Sequence, residues 1–551
     1  MADYAGHTST RQTLSSEPIP GKNQVPNRAG GFGFQLDCWK RLERFLILGN
    51  EGGTYYANEK ELTISNCRAL LECTAENPKR CVDMVVEVSD SGRAPKNDPA
   101  IFCLARLAAE RQCVDMVAAN LRKVCRIGAH IMQFCDMVQH FRGWGSKLRN
   151  SVASWYTEQD VDTLAFQVSK YRSRRVREGQ KGATWSHCDI LRKCHAKPTS
   201  NAMAATFAWA TGKQSPPADG HFPSDPQYRP QIIQAYEEAK CAPVKALPGM
   251  IREYGLQREH LPTEALNSPE VWEALLEQMP PHALLRNLGK LASVKLLVPL
   301  SEAAKTVTAK LNDHDWLCSK RVHPMAVLMA ASIYSAGCGL RGKLTWQPDH
   351  SVIGALDDAF VGTFQSVECT GKNHLLAIDI SASMAWPASV IAGTFLHARE
   401  AAAAMAMITS RTETNTHTCV FSNADMVGCK YGVVPVDYPP NTPMREIVRK
   451  THRYRPGGTN CSLPILYALK HELPVDVFVV YTDNEHWVGP IHPVQALQQY
   501  REKMQRPAKL IAVAFAANEY SVADASDPGM LDIVGFDTAA PAVMADFVKS
   551  F

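Results

Sequence analysis

The sequence predicts a multidomain chain: a long α-helical repeat region, then an α/β domain built on a parallel sheet. Three observations predict it. From Trp39 onward, apolar residues recur every three or four positions for about 300 residues, the spacing of one helix face. The string Cys81-Val82-Asp83-Met84-Val85 returns 32 residues later as Cys113-Val114-Asp115-Met116-Val117. After about residue 370 the texture changes to short β-branched runs alternating with helical stretches, the pattern of a sheet with helices on both faces.

Taken in order, residues 1–34 are polar, end in RAGGFGFQ, and read as a flexible N-terminal arm. Residues 35–370 form the helical region, with stretches such as WKRLERFLIL, DPAIFCLARLAAER and PHALLRNLGKLAS separated by short Pro and Gly breaks. A weaker echo of the repeat follows at Cys135-Asp136-Met137-Val138. Helix pairs at such a period suggest an α-solenoid of the HEAT type. The Pro-rich segment from Gln214 to Tyr228 reads as an exposed loop. Residues 371–551 make the second domain. HLLAIDI, HTCVFS, DVFVVYTD and KLIAVAFA are its strands, with HAREAAAAMAMITSRT and HPVQALQQYREKM among its helices. In such sheets ligands bind outside the carboxyl ends of the strands.

The bulk composition, 45% apolar and 21% charged over 551 residues, is that of a soluble globular protein. No run approaches the ~18 apolar residues of a membrane span. The start, MADYAGHTSTRQT, lacks the basic-then-apolar order of a secretory signal. The 17 cysteines contain no C-x-x-C pair and read as reduced thiols, so a cytoplasmic protein is expected, a nuclear pool being compatible. Charge is uneven. Residues 371–551 hold 15 Lys+Arg and 17 Asp+Glu, a net of −2; since the whole chain is +4, the remainder carries +6. Residues 120–200 alone hold 15 basic and 6 acidic residues, a local +9. Such concentration is the footprint of a polyanion partner.

In the second domain the run ending at Ile378 is followed by Asp379, Ser381 and Ser383. A serine nucleophile elbow would read G-x-S-x-G, and this does not. A helix cap accounts for Ser383 alone. A hard divalent cation accounts for all three, since Mg²⁺ takes oxygen ligands. Two later segments supply more oxygen: Gly457-Gly458-Thr459 and Thr482-Asp483-Asn484. No carboxylate stands out as a general base, so the domain reads as a binding module and not an enzyme. A metal-dependent phosphohydrolase remains a third reading.

In the helical region the densest basic stretch spans Lys170, Arg172, Arg174, Arg175 and Arg177, followed by Trp185, His187, Arg192 and Lys193. Earlier come Arg122, Arg126, His130, Trp144, Lys147 and Arg149. Lys and Arg bind phosphates, and His, Tyr and Trp can stack on unpaired bases. The competing reading is a solvated helix face. His187 has a competing reading of its own, as the cap of the helix CDILRK.

Asp379, Ser381, Ser383, Thr459 and Asp483 together resemble the metal-ion-dependent adhesion site of von Willebrand factor A domains. That resemblance implies a bound divalent metal, most simply Mg²⁺, with one position open to an acidic ligand from a partner. RFLILGNEGGTYY (44–56), KVCRIGAH (123–130), WGSKLRNSVASWY (144–156), KYR…WSHCDILRKCHAKPTS (170–200), REHLPTEALNSPEVWEALL (258–276), LLRNLGKL (284–291) and GLRGKLTW (339–346) resemble the TROVE module. The fusion of the two is similar to the Ro ribonucleoprotein family. The resemblance implies a ring of helical repeats and a Rossmann-like A domain. It implies small noncoding (Y) RNA on a basic outer surface and single-stranded 3′ ends of misfolded RNAs in the ring, in RNA quality control. By motif, Lys170, Arg172 and His187 map onto the Y RNA surface, and Arg122, Arg126, His130 and Arg149 onto the ring surface or hole. The stretch between Tyr171 and Trp185 departs from the family in being longer and more basic, which could widen the RNA footprint. A monomer without membrane contact is expected. The rival is an A-domain scaffold whose helical half binds proteins.

Overall fold

The structure is a computed structural model that describes residues 12–49, 67–171, 185–212, 226–340, 343–364, 368–385, 389–391, 395–423, 432–437, 439, 442–451 and 453–550. From Cys38–Leu48 to His350–Gly362 the described chain is almost wholly helical. The helices form where apolar residues repeat on one face, and many start on a side-chain cap. Asp37, Asn77, Asp160, Ser200, Ser268 and Ser301 each accept from a backbone N–H in the first turn, which satisfies a donor the helix itself leaves orphaned.

The helices stack in two rows. Pro78–Ser91 packs on Val114–Val124, which packs on Ser146–Thr157, which packs on His187–Cys194; in the other row Asp98–Leu107 packs on Gly128–Phe141. The repeated string follows this arrangement. Its first two copies lie on Pro78–Ser91 and at the start of Val114–Val124, which stack directly. Cys81, Val82, Val85, Cys113 and Val117 are all buried. The third, weaker copy sits in the other row and out of period. The stack returns on itself: Arg321 pairs with Asp90 at 3.1 Å, and His323 Nε2 lies 3.0 Å from the Arg93 carbonyl oxygen.

The second domain carries a six-stranded sheet in the order β5 (Val433–Pro435), β4 (Asn415–Phe421), β3 (Asn373–Asp379), β6 (Val477–Thr482), β7 (Lys509–Ala514), β9 (Met530–Val534). Only β4–β5 is antiparallel. Both faces are covered, so the central strands read as unbroken apolar runs. Successive side chains enter different cores. Leu376, Ile378, Val477 and Val479 join the core that continues through the helical half. Leu375, Ala377, Phe478 and Val480 pack in a separate core with the helices Leu463–Lys470 and Pro493–Met504.

The expectation of a flexible arm over residues 1–34 fails for its described part. Residues 12–34 lie against the second domain. β1 (Gln24–Pro26) pairs with β2 (Phe32–Gln35), and β2 pairs with β8 (Tyr520–Ser521). Lys22 pairs with Asp524 at 2.7 Å, and Ser15 is buried with its Oγ donating to the Ile491 carbonyl. The polar sequence hides this because the partners in the second domain lie more than 400 positions away.

Two arginines pin the halves together. Arg44, 1% exposed, donates to the carbonyls of Asn518 (2.8 Å) and Tyr520 (3.0 Å) and to Asp532 (2.6 Å). Arg93 pairs with Asp537 at 2.6 Å and also with Glu43. Removing one member of a buried pair strands the other. Arg44→Ala is therefore expected to cost about 3 kcal/mol, read as a lower midpoint in chemical denaturation followed by tryptophan fluorescence.

Candidate metal site and nucleic-acid interface

Neighbouring parallel strands β3 and β6 end side by side. Asp379 closes one and Asp483 follows the other. The loop after β3 is tied to the Thr459 loop by Ala382 N–H donating to Gly457 O at 2.9 Å. The Thr459 loop is tied to the chain after β6, since Trp487 and Val488 N–H donate to Thr459 O at 3.2 and 3.3 Å. Three segments far apart in sequence thus meet at one sheet end, and all five predicted metal residues lie on them.

Their chemistry fits a hard cation. Asp379, Ser381, Thr459 and Asp483 are 0–2% exposed. Asp379 accepts from Ser381 N–H (2.8 Å) and from the Thr482 hydroxyl (2.6 Å). Ser381 Oγ and Ser383 Oγ stand 3.1 Å apart. Asp483 accepts from Glu485 N–H at 3.1 Å. Burial first, and then the negative charge of Asp483, push the Asp379 carboxyl up from its ordinary range. Two enclosed like charges flanked by hydroxyls are what a divalent cation relieves. Among the described residues, no group of three or more His, Cys, Asp and Glu could hold a metal; this site has two carboxylates and draws its other donors from hydroxyls. Thr482, which the sequence offered only as part of an oxygen-bearing segment, orients Asp379 through its hydroxyl.

The basic residues divide. Arg149 is exposed. Lys170, half-buried, stands over the rings of Phe166 (5.3 Å) and Tyr171 (5.6 Å). Burial lowers its pKa; Glu259 opposes this, and Arg286 and Arg258 add to it. Lys170 is thus one of three cations that the fold gathers from distant motifs. Arg122 pairs with Glu158 at 3.3 Å and Lys147 with Asp115 at 2.5 Å, both at exposed positions, where such pairs are weak. Arg126 is consumed by Ser89 and the Lys123 carbonyl. His130 lies beside Asn97, its pKa lowered to about 4 by burial and then by Arg126. Arg172, Arg174 and Arg175 lie outside the described residues.

His187 is not on the surface. It is 1% exposed, with Nδ1 2.8 Å from the Tyr156 hydroxyl and its ring parallel to Trp155 at 6.3 Å. Nor is it the cap: Ser186 caps the helix and forms a capping box with Asp189. A half-buried aromatic pair nearby is Trp144 stacked on Trp185 at 5.4 Å, with Lys193 Nζ 6.0 Å from the Trp144 ring.

A TROVE domain model matches residues 25–215 and 253–350, and a Ro60 vWA domain model matches residues 373–548. The chain belongs to the Ro60 family. It is 36% identical to a Deinococcus radiodurans protein named RNA-binding protein RO60, over 96% of both chains. It is 30% identical to a Caenorhabditis elegans protein of the same name, over 95% of this chain and 90% of that one. The crystal structure of the Deinococcus radiodurans RO (RSR) protein superimposes with a TM-score of 0.68 at 36% identity, covering 93% of this chain and 99% of that one. The helical ring followed by an A domain is therefore the Ro60 architecture.

Burial holds the His187 pKa down at about 3, below its unfolded value of about 6.5. Between those values the unfolded chain binds a proton that the folded one does not. Its contribution is complete above pH ~6.5 and is lost as pH falls toward 3. From pH 6.5 to 5 the loss is roughly 2 kcal/mol. A His187→Phe variant is expected to show a flatter stability profile over that interval, measured by denaturant titration at each pH.

Proposed function

We propose that this chain is the RNA-binding, non-enzymatic protein of a small ribonucleoprotein. It binds small noncoding Y RNAs on its basic helical surface and takes single-stranded 3′ ends of misfolded RNAs through its ring, in RNA quality control. The observation that carries this reading is the end-to-end likeness to two proteins named RNA-binding protein RO60. The geometry supports it with a Lys170–Arg258–Arg286 cluster, the exposed Arg149 and the Trp144–Trp185 pair. Lysine and arginine supply phosphate affinity; the indoles offer a stacking face. A ring too narrow for a duplex selects free ends.

The A domain holds Mg²⁺ through Ser381, Ser383 and Thr459, with Asp379 and Asp483 completing its surroundings. When bound, the ion supplies positive charge for a carboxylate or phosphate from a partner. Asp379 and Asp483 orient the site through the bonds from Thr482 and Glu485 N–H, and the hydroxyls provide neutral donors. The protein works as a monomer in the cytoplasm, with a nuclear pool.

The test is a salt titration of binding to a structured small RNA with a free 3′ tail, against a blunt duplex and single-stranded DNA. Tail-dependent binding that weakens steeply with salt is expected. Lys170→Ala should weaken it and reduce the salt slope by about 1. Asp379→Ala should leave RNA affinity unchanged and abolish Mg²⁺ binding. Binding that ignores the tail and Lys170 would favour the protein-scaffold reading.

A further inference from the structure

The N-terminal segment crosses the sheet end where the metal residues meet. Asn27 is buried. Its Oδ1 accepts from Ala29 N–H (3.1 Å) and Gly31 N–H (2.7 Å), and its own N–H donates to Gly31 O (2.9 Å). Residues 27–31 are therefore a closed loop. From it, Asn27 Nδ2 donates to His486 O at 2.5 Å, across 459 positions of sequence. Arg28 and Ala29 N–H both donate to one oxygen of Glu485, at 3.1 and 3.2 Å. The other Glu485 oxygen accepts from the Tyr520 hydroxyl (2.5 Å) and the Asn518 amide (3.3 Å). Gly31 lies flat on the same run: a Cβ there would stand 2.2 Å from His486 O and 2.6 Å from Trp487 Cα. Ser15 N–H continues the contact, donating to Gly489 O at 3.2 Å.

The run held in this way contains one metal residue and braces another. Asp483 accepts from Glu485 N–H at 3.1 Å, and its carbonyl accepts from Asn518 Nδ2 at 2.5 Å. Thr459 is fixed through its carbonyl by Trp487 and Val488 N–H. Residues 483–489 have no regular structure of their own, and Asn484 stands at φ 63°. Their positions are set from two sides: the Thr459 loop on one and the N-terminal segment on the other.

We infer that Asn27 and Gly31 are positioning residues for the metal site, so that the N-terminal segment, with the sheet, fixes where Asp483 and Thr459 stand. This rests on the metal reading given above. Partners that orient metal ligands commonly govern affinity about 10- to 100-fold.

The test titrates Mg²⁺ into the full-length protein by calorimetry. Asp379→Ala is the site control. Arg501→Ala is the stability control: it removes the 2.6 Å pair with Asp527 and touches neither the N-terminal segment nor residues 483–489. Asn27→Ala and Gly31→Ala should each raise the Mg²⁺ Kd about tenfold or more, with Arg501→Ala binding as wild type. Asn27→Asp is the milder variant if either fails to fold. It keeps both acceptor bonds of the loop, loses the bond to His486 O, and should raise the Kd severalfold. If the Asn27 and Gly31 variants bind as wild type, or Arg501→Ala weakens binding equally, the inference is overturned and the metal reading stands. If wild-type protein and Asp379→Ala both bind no Mg²⁺, the metal reading falls and the inference with it.

Discussion

Arg44 is the residue on which the arrangement of the two halves turns. It belongs to the first helix of the helical region, yet all three of its acceptors are in the second domain. An almost fully buried guanidinium is stable only with charge and hydrogen-bond partners in place. Asp532 supplies the charge, and the two carbonyls occupy donors that a carboxylate alone would leave. The planar fork of arginine can serve three acceptors at fixed angles, which a lysine could not. Around it one apolar core runs from Trp39 to Val548 without a break between the halves. The halves are distinct in sequence texture and continuous in packing.

That continuity explains how the sheet is built. Each central strand sends alternate residues into two different cores, one shared with the helical half and one private to the second domain. A one-residue slip would exchange the two sets. The register that places Asp379 beside the end of β6 is thus fixed by packing on both faces. The candidate metal residues inherit their position from it.

The meeting of the five candidate metal residues at one sheet end was legible because they sit where apolar runs stop, and a strand end is visible in sequence. The helical repeat was legible because its apolar residues Cys81, Val85, Cys113 and Val117 are buried in or at the start of two stacked helices. The N-terminal segment was not. Its glycines and polar residues have the composition of a mobile arm, and the order they adopt comes from groups hundreds of positions away. The basic region was legible as charge and not as surface. Arg126 spends its guanidinium on Ser89, and His187 is enclosed by Trp155 and Tyr156. Sequence shows that a cation is present; only the fold shows whether its charge is available. Neighbouring aromatics read equally well as a stacking surface and as a core, and at His187 they are core.

Asn518 joins these threads. Its carbonyl accepts from Arg44, and its side-chain amide donates to the Asp483 carbonyl and to Glu485. One residue therefore touches both the pin between the halves and a residue of the candidate metal site. Among the described residues no lysine, arginine or histidine forms an ion pair with Asp379, and burial and then the charge of Asp483 raise the cost of ionising it. Burying two carboxylates this way is unfavourable unless a proton or a cation neutralises them. A proton would neutralise one carboxylate. A divalent ion would draw on both carboxylates and the hydroxyls together. It also gives a reason for the bracing from Asn518 and Glu485, because a cation is held well only when its donors are already in place.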